Sequence, residues 1–375
     1  MRIAINVQTL VKDHLEGLGW FTYESIKRIV QAHPEHEFLL IFGKGIDERF
    51  VFSENIKAVN IGPPVFRPPA WYLKFEWLLP RFLNRQNIDL YISSDGMSSK
   101  KIKAKQLNII HDLNFEANPQ WLPKCFSFYY KKYFPIWTKA SSRIATVSEY
   151  SKQDIHERYG FDLDKIDVVY NGSNALYQPI DVASKEATKQ KYTSGSDYFV
   201  FVGSLHPRKN IEHLLLGFDR FKKNNTNSIK LVIVGSKYYW NGTIKEAFES
   251  MKFANDVIFT GHLPTEDLKN IVAASLALTY LSYFEGFGIP LVEAMSSETA
   301  IIASNATCLP EVAGDAALYV PPKDVTAIAD AMQELVENPE LRQKLIENGR
   351  QQRKNYSWDL TAQRLWQSVE KTLNV

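Results

Sequence analysis

Residues 283–295 read YFEGFGIPLVEAM, Tyr283 through Met295, and their order predicts a strand end, a tight turn and a helix. The apolar run Leu276 to Leu281 is the strand, Gly286-Phe287-Gly288 the turn, and Pro290 suits a first helical position, where proline has no amide proton to lose. Glu285 stands before the turn and Glu293 one to two turns into the helix. Amides of the turn and of the first helical turn, with the positive end of the helix dipole behind them, favour an anion such as phosphate. A carboxylate cannot serve the spot that takes a phosphate. Glu285 and Glu293 are therefore expected to accept hydrogen bonds from the hydroxyls of whatever carries it, which describes a sugar nucleotide.

The strand ahead of this turn belongs to a series. Short β-type runs cover residues 3–7, 38–42, 57–61, 89–92, 107–110, 143–147 and 167–170, then 199–202, 230–234, 257–260, 276–281, 300–303 and 317–320, with helical stretches between them. Such alternation predicts parallel sheets wrapped by helices, and ligands in such sheets bind past the carboxyl ends of the strands. A polar stretch with Pro179 and the cluster Ser194-Gly195-Ser196 separates the two series and holds one short charged helix candidate near Ser184 to Lys191. The length of 375 residues also exceeds one ordinary core. The expected organisation is an N-terminal domain over 1–175, a linker over 176–197 and a C-terminal domain over 198–356.

Residues just after each strand are the candidates for chemistry. Glu16-Gly17-Leu18-Gly19-Trp20 places two glycines ahead of an amphipathic helix with Tyr23 and Ile26 on one face, and this is not the Gly-x-Gly-x-x-Gly fingerprint of nicotinamide enzymes. His111-Asp112 ends the fifth strand, with Asp112 expected to orient the imidazole or to cap the next segment. In the second half, Gly203 to Asn210 carries Arg208 and Lys209 at a helix start, where the dipole disfavours cations. An anionic ligand supplies the reason, because a departing nucleoside diphosphate gains charge that must meet cations and amides. Gly261-His262-Leu263 ends the third strand of this half. Ser148 reads as a helix cap, Asn171-Gly172 as a turn, and Asp162-Leu163-Asp164 as solvated turn residues.

Composition narrows the class. Apolar residues make up 45% of the chain and the net charge is +2, so nothing in the total implies nucleic acid. Cys125 and Cys308 are the only cysteines, which fits a reducing compartment. No charged leader with a cleavage site opens the sequence, and no run approaches the ~20 apolar residues of a membrane span. A cytoplasmic protein is expected, in which the Asn-x-Ser/Thr triplets at Asn171, Asn224, Asn241 and Asn305 carry no glycosylation message. Two aromatic stretches, 66–82 and 121–137, are read as helices packed on the sheet that line the acceptor side of the cleft. The alternative is an interfacial helix docked at the inner face of a membrane carrying a lipid-linked acceptor.

The pair Glu285 and Glu293 resembles the Glu-x7-Glu motif of the retaining, nucleotide-sugar-dependent glycosyltransferases of the GT-B fold, often called group 1. The resemblance covers nearly the whole chain, strongly from about 198 to 322. It implies two Rossmann-like α/β domains facing a cleft, with the last helix, 357–375, returning to the N-terminal domain. It also implies roles: Glu285 against the transferred sugar, Glu293 on the ribose, Phe287 and Gly288 with Arg208 and Lys209 on the diphosphate, and the backbone at His262 against the nucleobase. Gly17 and Gly19 occupy the position of a loop that closes over the donor phosphate and acceptor, although Gly-Leu-Gly replaces the usual adjacent pair. His111 takes the place of a histidine that positions the sugar. Ser297-Glu298-Thr299 departs from the small residue and glycine usual there, and Ser304 to Val312 resembles a structural loop behind the ribose.

The implied activity is retaining transfer of a hexosyl unit from a nucleotide diphosphate sugar to a glycan or lipid-linked acceptor, with no metal and no cofactor. EGFGIPLVEAM with HPRKN resembles mannosyl- or related hexosyltransferases of surface polysaccharide assembly. The alternatives are a nucleotide-sugar epimerase or hydrolase on the same scaffold, which would act without acceptor, and a noncatalytic nucleotide-sugar-binding protein.

Overall fold

A computed structural model of the chain describes residues 1–11, 15, 17–62, 67–223, 227–236, 240 and 242–374. Glu16, Phe66, Asn224 and Asn241, singled out above, lie outside the described residues. The chain forms two compact units, Met1–Gly172 with Ser357–Val375, and Ser173–Tyr356.

The first unit is built on β1 (Arg2–Asn6), β2 (Glu37–Phe42), β3 (Ile56–Asn60), β4 (Leu90–Ser93), β5 (Lys105–Ile109), β6 (Arg143–Thr146) and β7 (Ile166–Val168). They form one sheet in the order β3-β2-β1-β4-β5-β6-β7, and every pairing is parallel. Ile3, Ala4 and Ile5 of β1 are all fully buried. Helices cover both faces of a parallel sheet, so its strands read as continuous apolar runs and not as alternation. Helix Gly17–Ala32 packs against the last helix, Trp358–Leu373, which Ser357 caps by accepting from the Leu360 amide at 3.2 Å. Arg28 Nε bonds Asp359 Oδ1 at 2.6 Å, and the His33 ring stacks on Trp366 with centroids 3.6 Å apart.

The two aromatic stretches form helix Pro68–Leu73, one π-helical turn Lys74–Leu78, helix Leu79–Leu83, and helix Lys124–Ala140. Trp71 packs edge-on against Phe126 at 5.2 Å and stacks on Tyr130 at 5.7 Å, while Phe75 meets the fully buried Trp137 at 6.0 Å. The buried Glu76 carboxylate accepts the Trp137 indole N–H at 3.2 Å, so the one polar atom of that ring is satisfied.

The second unit is built on β8 (Tyr198–Val202), β9 (Lys230–Val234), β10 (Val257–Gly261), β11 (Ala277–Tyr280), β12 (Ala300–Ser304) and β13 (Ala317–Val320). The order is β10-β9-β8-β11-β12-β13, again parallel throughout. The chain leaves β8 on one side and returns through β11 on the other, which makes the carboxyl ends of these two neighbours a topological switch point. Beyond β8 and β9 the backbones nearly touch: a Cβ on Gly235, at φ +154°, would lie 1.9 Å from the Gly203 carbonyl oxygen. The stretch 176–197, read as linker, lies in this unit and contains helix Val182–Thr193, capped by Asp181 and tied by Lys191 to Asp267 at 2.9 Å.

Candidate active site

Arg208 and Lys209 follow β8 in a single 3₁₀ turn, Pro207–Lys209, and Glu285 follows β11. Adjacent strands at the switch point therefore bring together groups 76 and 77 positions apart in sequence. Arg208 Nη1 donates to Glu285 Oε2 at 2.5 Å, and Lys209 Nζ donates to Oε1 at 2.6 Å. Asn210, in the left-handed region at φ 59°, turns the chain after the basic pair, and its side chain donates to the Leu281 carbonyl at 3.0 Å. The Tyr283 amide closes the arrangement on the Arg208 carbonyl at 2.8 Å.

Glu285 is 5% exposed. Burial alone would raise its carboxyl, but Arg208 first and Lys209 second pull it down to about 2. The ordinary value is 4.5, so the pair's stabilisation is complete above pH 4.5 and fades as pH falls through about 2. Tyr280 accepts from Lys209 at 2.6 Å and donates to Glu285, with its hydroxyl held far above the ordinary tyrosine value by burial and by that carboxylate. The sequence reading missed Tyr280 as a partner in the site. In the loop after β12, read as structural, Thr307 Oγ1 accepts from the Glu285 amide at 3.2 Å, and Cys308 Sγ sits 3.2 Å from the Glu285 carbonyl oxygen and 3.3 Å from that of Phe287. That loop holds the turn that bears Glu285.

Gly288 ends the turn at φ +94°, and helix Ile289–Ser296 follows, with Pro290 at its second position and not its first. The buried Phe287 ring packs edge-on against Tyr356 at 5.4 Å. Glu293 is half-buried and bonded to the Tyr177 hydroxyl; burial lifts its carboxyl to about 7 against the lowering effect of that bond. His262 is exposed just past β10. Glu298 takes the left-handed φ of 56° where the motif usually has glycine, and Arg350 clamps its carboxylate through two bonds of 2.8 and 2.7 Å.

In the first unit, Gly17 and Gly19 are not in a loop ahead of the helix but in its first turn, Gly17–Ala32. Gly19 is buried, and a Cβ there would press to 3.2 Å on the Thr9 carbonyl and 3.0 Å on Leu15, so close packing accounts for this glycine. His111 packs its ring edge-on against Phe21 at 4.8 Å and donates from Nε2 to the Ser94 carbonyl at 3.0 Å. That bond assigns the tautomer with Nδ1 bare as an acceptor, and burial lowers the imidazole's affinity for a second proton. Asp112 caps the next segment, accepting from the Asn114 amide at 2.9 Å. His111 borders a cavity of about 380 Å³ past the ends of β1, β4 and β5, whose wall includes Gln8, Asp95, Lys74, Trp71 and Tyr130.

Residues 184–352 match the family model of the group 1 glycosyl transferases, and residues 16–175 match glycosyltransferase family 4. The O-antigen chain mannosyltransferase B of Escherichia coli is 27% identical over 359 residues, 93% of this chain and 94% of that protein. The O-antigen chain mannosyltransferase RfbU of Salmonella typhimurium is 30% identical over 278 residues, 73% of this chain and 72% of that one. Among solved structures, sucrose-phosphate synthase from Thermosynechococcus elongatus superposes with a TM-score of 0.79 at 18% identity, covering 100% of this chain and 99% of its own. With two parallel-sheet units of the GT-B kind and relatives of this similarity, the chain belongs to the group 1 glycosyl transferases and is a glycosyltransferase.

Proposed function

We propose that the chain is a retaining, metal-independent mannosyltransferase that moves a mannosyl unit from a nucleotide diphosphate sugar to a glycan acceptor carried on a lipid. The observation that carries the mechanism is the Arg208 and Lys209 pair gripping Glu285 beside a glycine turn at a helix start. Two cations at that place can meet the charge that builds on a departing diphosphate, the work a divalent metal does elsewhere. Glu285, ionised at every physiological pH, offers negative charge to the sugar as its anomeric carbon becomes cationic. In the transfer the bond from C1 to the phosphate oxygen breaks, the freed phosphate oxygen takes the acceptor hydroxyl's proton, and the acceptor oxygen bonds C1 on the same face. Glu293 accepts from the ribose hydroxyls. The mannosyl assignment rests on the names of the two O-antigen relatives.

A panel of nucleotide sugars, each with and without EDTA, tests this reading by thermal shift and by transfer to a glycan acceptor. Stabilisation by one diphosphate family, unchanged by EDTA and followed by an α-linked product from an α-linked donor, supports it; loss of turnover with EDTA, or an inverted product, overturns it.

The first unit also supports a peripheral membrane contact. Trp77 and Phe128 are 59% and 69% exposed, Lys101 lies over the Trp77 ring at 4.7 Å and Lys132 over Phe128 at 6.0 Å. From 117 to 148 the chain has Lys124, Lys131, Lys132, Lys139 and Arg143 and no acidic residue. Among the described residues no helix is long and apolar enough to cross a membrane. Sedimentation with vesicles rich in anionic lipid, compared with neutral vesicles and with a Trp77→Ser, Phe128→Ser double variant, tests the contact; equal binding to both lipids would sink it.

A further inference from the structure

Three lysines are buried among the described residues, and two are bonded by neighbouring side chains or carbonyls. Lys209 bonds Tyr280 and Glu285, each at 2.6 Å. Lys222 donates to the Asn227 and Ile229 carbonyls at 2.5 and 3.1 Å and pairs with Asp256 at 3.0 Å. Lys74 is 2% exposed, borders the 380 Å³ cavity of the first unit, and makes neither hydrogen bond nor ion pair among the described residues. An ammonium group has three donors, and leaving them unmet away from water is costly.

Asp95, in the same cavity wall, does not meet that need. Its Oδ1 accepts from Asn6 Nδ2 at 3.1 Å, Ser93 Oγ at 3.0 Å and the Met97 amide at 3.1 Å, and its Oδ2 accepts from Gln8 Nε2 at 2.5 Å. With these four neutral donors already on it, the carboxylate supports the Lys74 charge through space and makes no bond to it among the described residues. Burial lowers the Lys74 pKa and Asp95 opposes that effect. Lys74 opens the single π-helical turn between helices Pro68–Leu73 and Leu79–Leu83, a backbone widening that proteins keep mostly at functional places. Around it the cavity wall includes the aromatic side chains of Trp71 and Tyr130, whose apolar carbons suit the C–H groups of a sugar, and His111, whose Nδ1 is an acceptor.

We infer that Lys74 is an anion-recognition residue: the acceptor that enters this cavity carries an oxyanion, a phosphate or a carboxylate, on or next to the sugar that lies against Trp71 and Tyr130. The inference rests on the glycosyltransferase reading above and adds the acceptor's chemical class to it. A neutral glycan can offer the ammonium hydroxyl oxygens as acceptors but no negative charge to balance it. An oxyanion supplies two or three acceptor oxygens and forms charge-assisted bonds, the strongest available to a lysine.

The test uses the full chain and a panel of glucose, galactose, mannose and N-acetylglucosamine, each as the neutral methyl glycoside and the 1-phosphate, with the glucose and galactose uronates added. Binding is followed by tryptophan fluorescence, to which Trp71 contributes, and by calorimetry. Wild type is expected to bind at least one anionic member about tenfold or more tighter than its neutral counterpart, with the phosphate and uronate arms telling which oxyanion is read. Lys74→Met removes that preference and Lys74→Arg keeps part of it. Lys74→Met is also expected to melt higher than wild type, which shows that it folds and that the loss is not structural. Equal binding of charged and neutral members by wild type, a preference that survives in Lys74→Met, or no binding by any anionic member overturns the inference. The donor's thermal shift, measured on the same samples, keeps the two readings apart: if it persists, the transferase reading stands while the Lys74 assignment falls.

Discussion

Lys209 and Lys74 are the same residue in two opposite electrical states. Lys209, in the second unit, shares Glu285 with Arg208 and also meets a tyrosine, so its ammonium is bonded within the protein while the trio keeps one net positive charge. Lys74, in the first unit, borders a cavity lined by Asp95, which already accepts from neutral donors, and by Asp112, which caps the next segment. A pre-paired cation can hand its charge to a diphosphate only by loosening an existing bond, which limits ground-state binding and leaves the interaction to grow as charge develops. An unpaired cation binds its anion from the outset and is suited to choosing a substrate. On the functional reading proposed above, the first arrangement suits a transition state and the second suits recognition.

The sharpest blow to this contrast is at its centre. Glu285→Ala is expected to lower transfer by about 10²–10³-fold, the scale of losing one preorganised electrostatic group. Thermal melting in the presence of donor checks that the fold survives, and wild-type turnover would break the assignment. Next in size is a difference in sign between the two lysines. Lys209→Met removes one partner from a buried ion pair and is expected to destabilise by about 3 kcal/mol, whereas Lys74→Met removes a buried charge that no direct bond offsets and is expected to stabilise by about 1 kcal/mol. Urea titration of both variants reads the signs directly, and two losses of similar size would erase the distinction.

A backbone change comes third. Gly288 sits at φ +94°, and a Cβ there would approach Leu309 to 3.0 Å, so Gly288→Ala should cost about 1–2 kcal/mol and weaken donor binding while leaving the first unit's cavity able to bind its ligands. The smallest effect is in pH. Glu293 titrates near 7 in the fold against an ordinary 4.5, so the folded state holds its proton more tightly, and the contribution to stability is full below pH 4.5 and lost as pH rises through about 7. Donor binding should run the other way, because the ionised carboxylate is the better acceptor for ribose hydroxyls. The donor KM is expected to rise about fivefold from pH 8 to pH 6, the scale of one hydrogen bond, and Glu293→Gln should flatten that profile.

Much of this was readable from the order of residues. All thirteen strands among the described residues lie within two residues of the apolar runs that predicted them, because strands buried on both faces leave an uninterrupted apolar signal between polar loops. Glu285, the Gly286-Phe287-Gly288 turn and Glu293 were legible for a local reason, since strand, turn and helix follow one another within a single stretch of chain. Gly17 and Gly19 were misread as a loop. Two glycines ahead of a helical pattern look the same whether the helix has begun or not, and here the need of Gly19 to pack against the Thr9 carbonyl places both inside the first turn.

Pattern and local chemistry, then, were enough for the strand series, the two parallel sheets and the acidic motif, because each is written in neighbouring residues. The folded arrangement alone revealed that Arg208 and Lys209 close on Glu285, that Thr307 and Cys308 hold its turn, and that Lys74 is buried without a bonded partner among the described residues, near an Asp95 that neutral donors already hold. Those facts depend on which strands are neighbours and which donors reach a carboxylate first, distances that no spacing along the chain encodes.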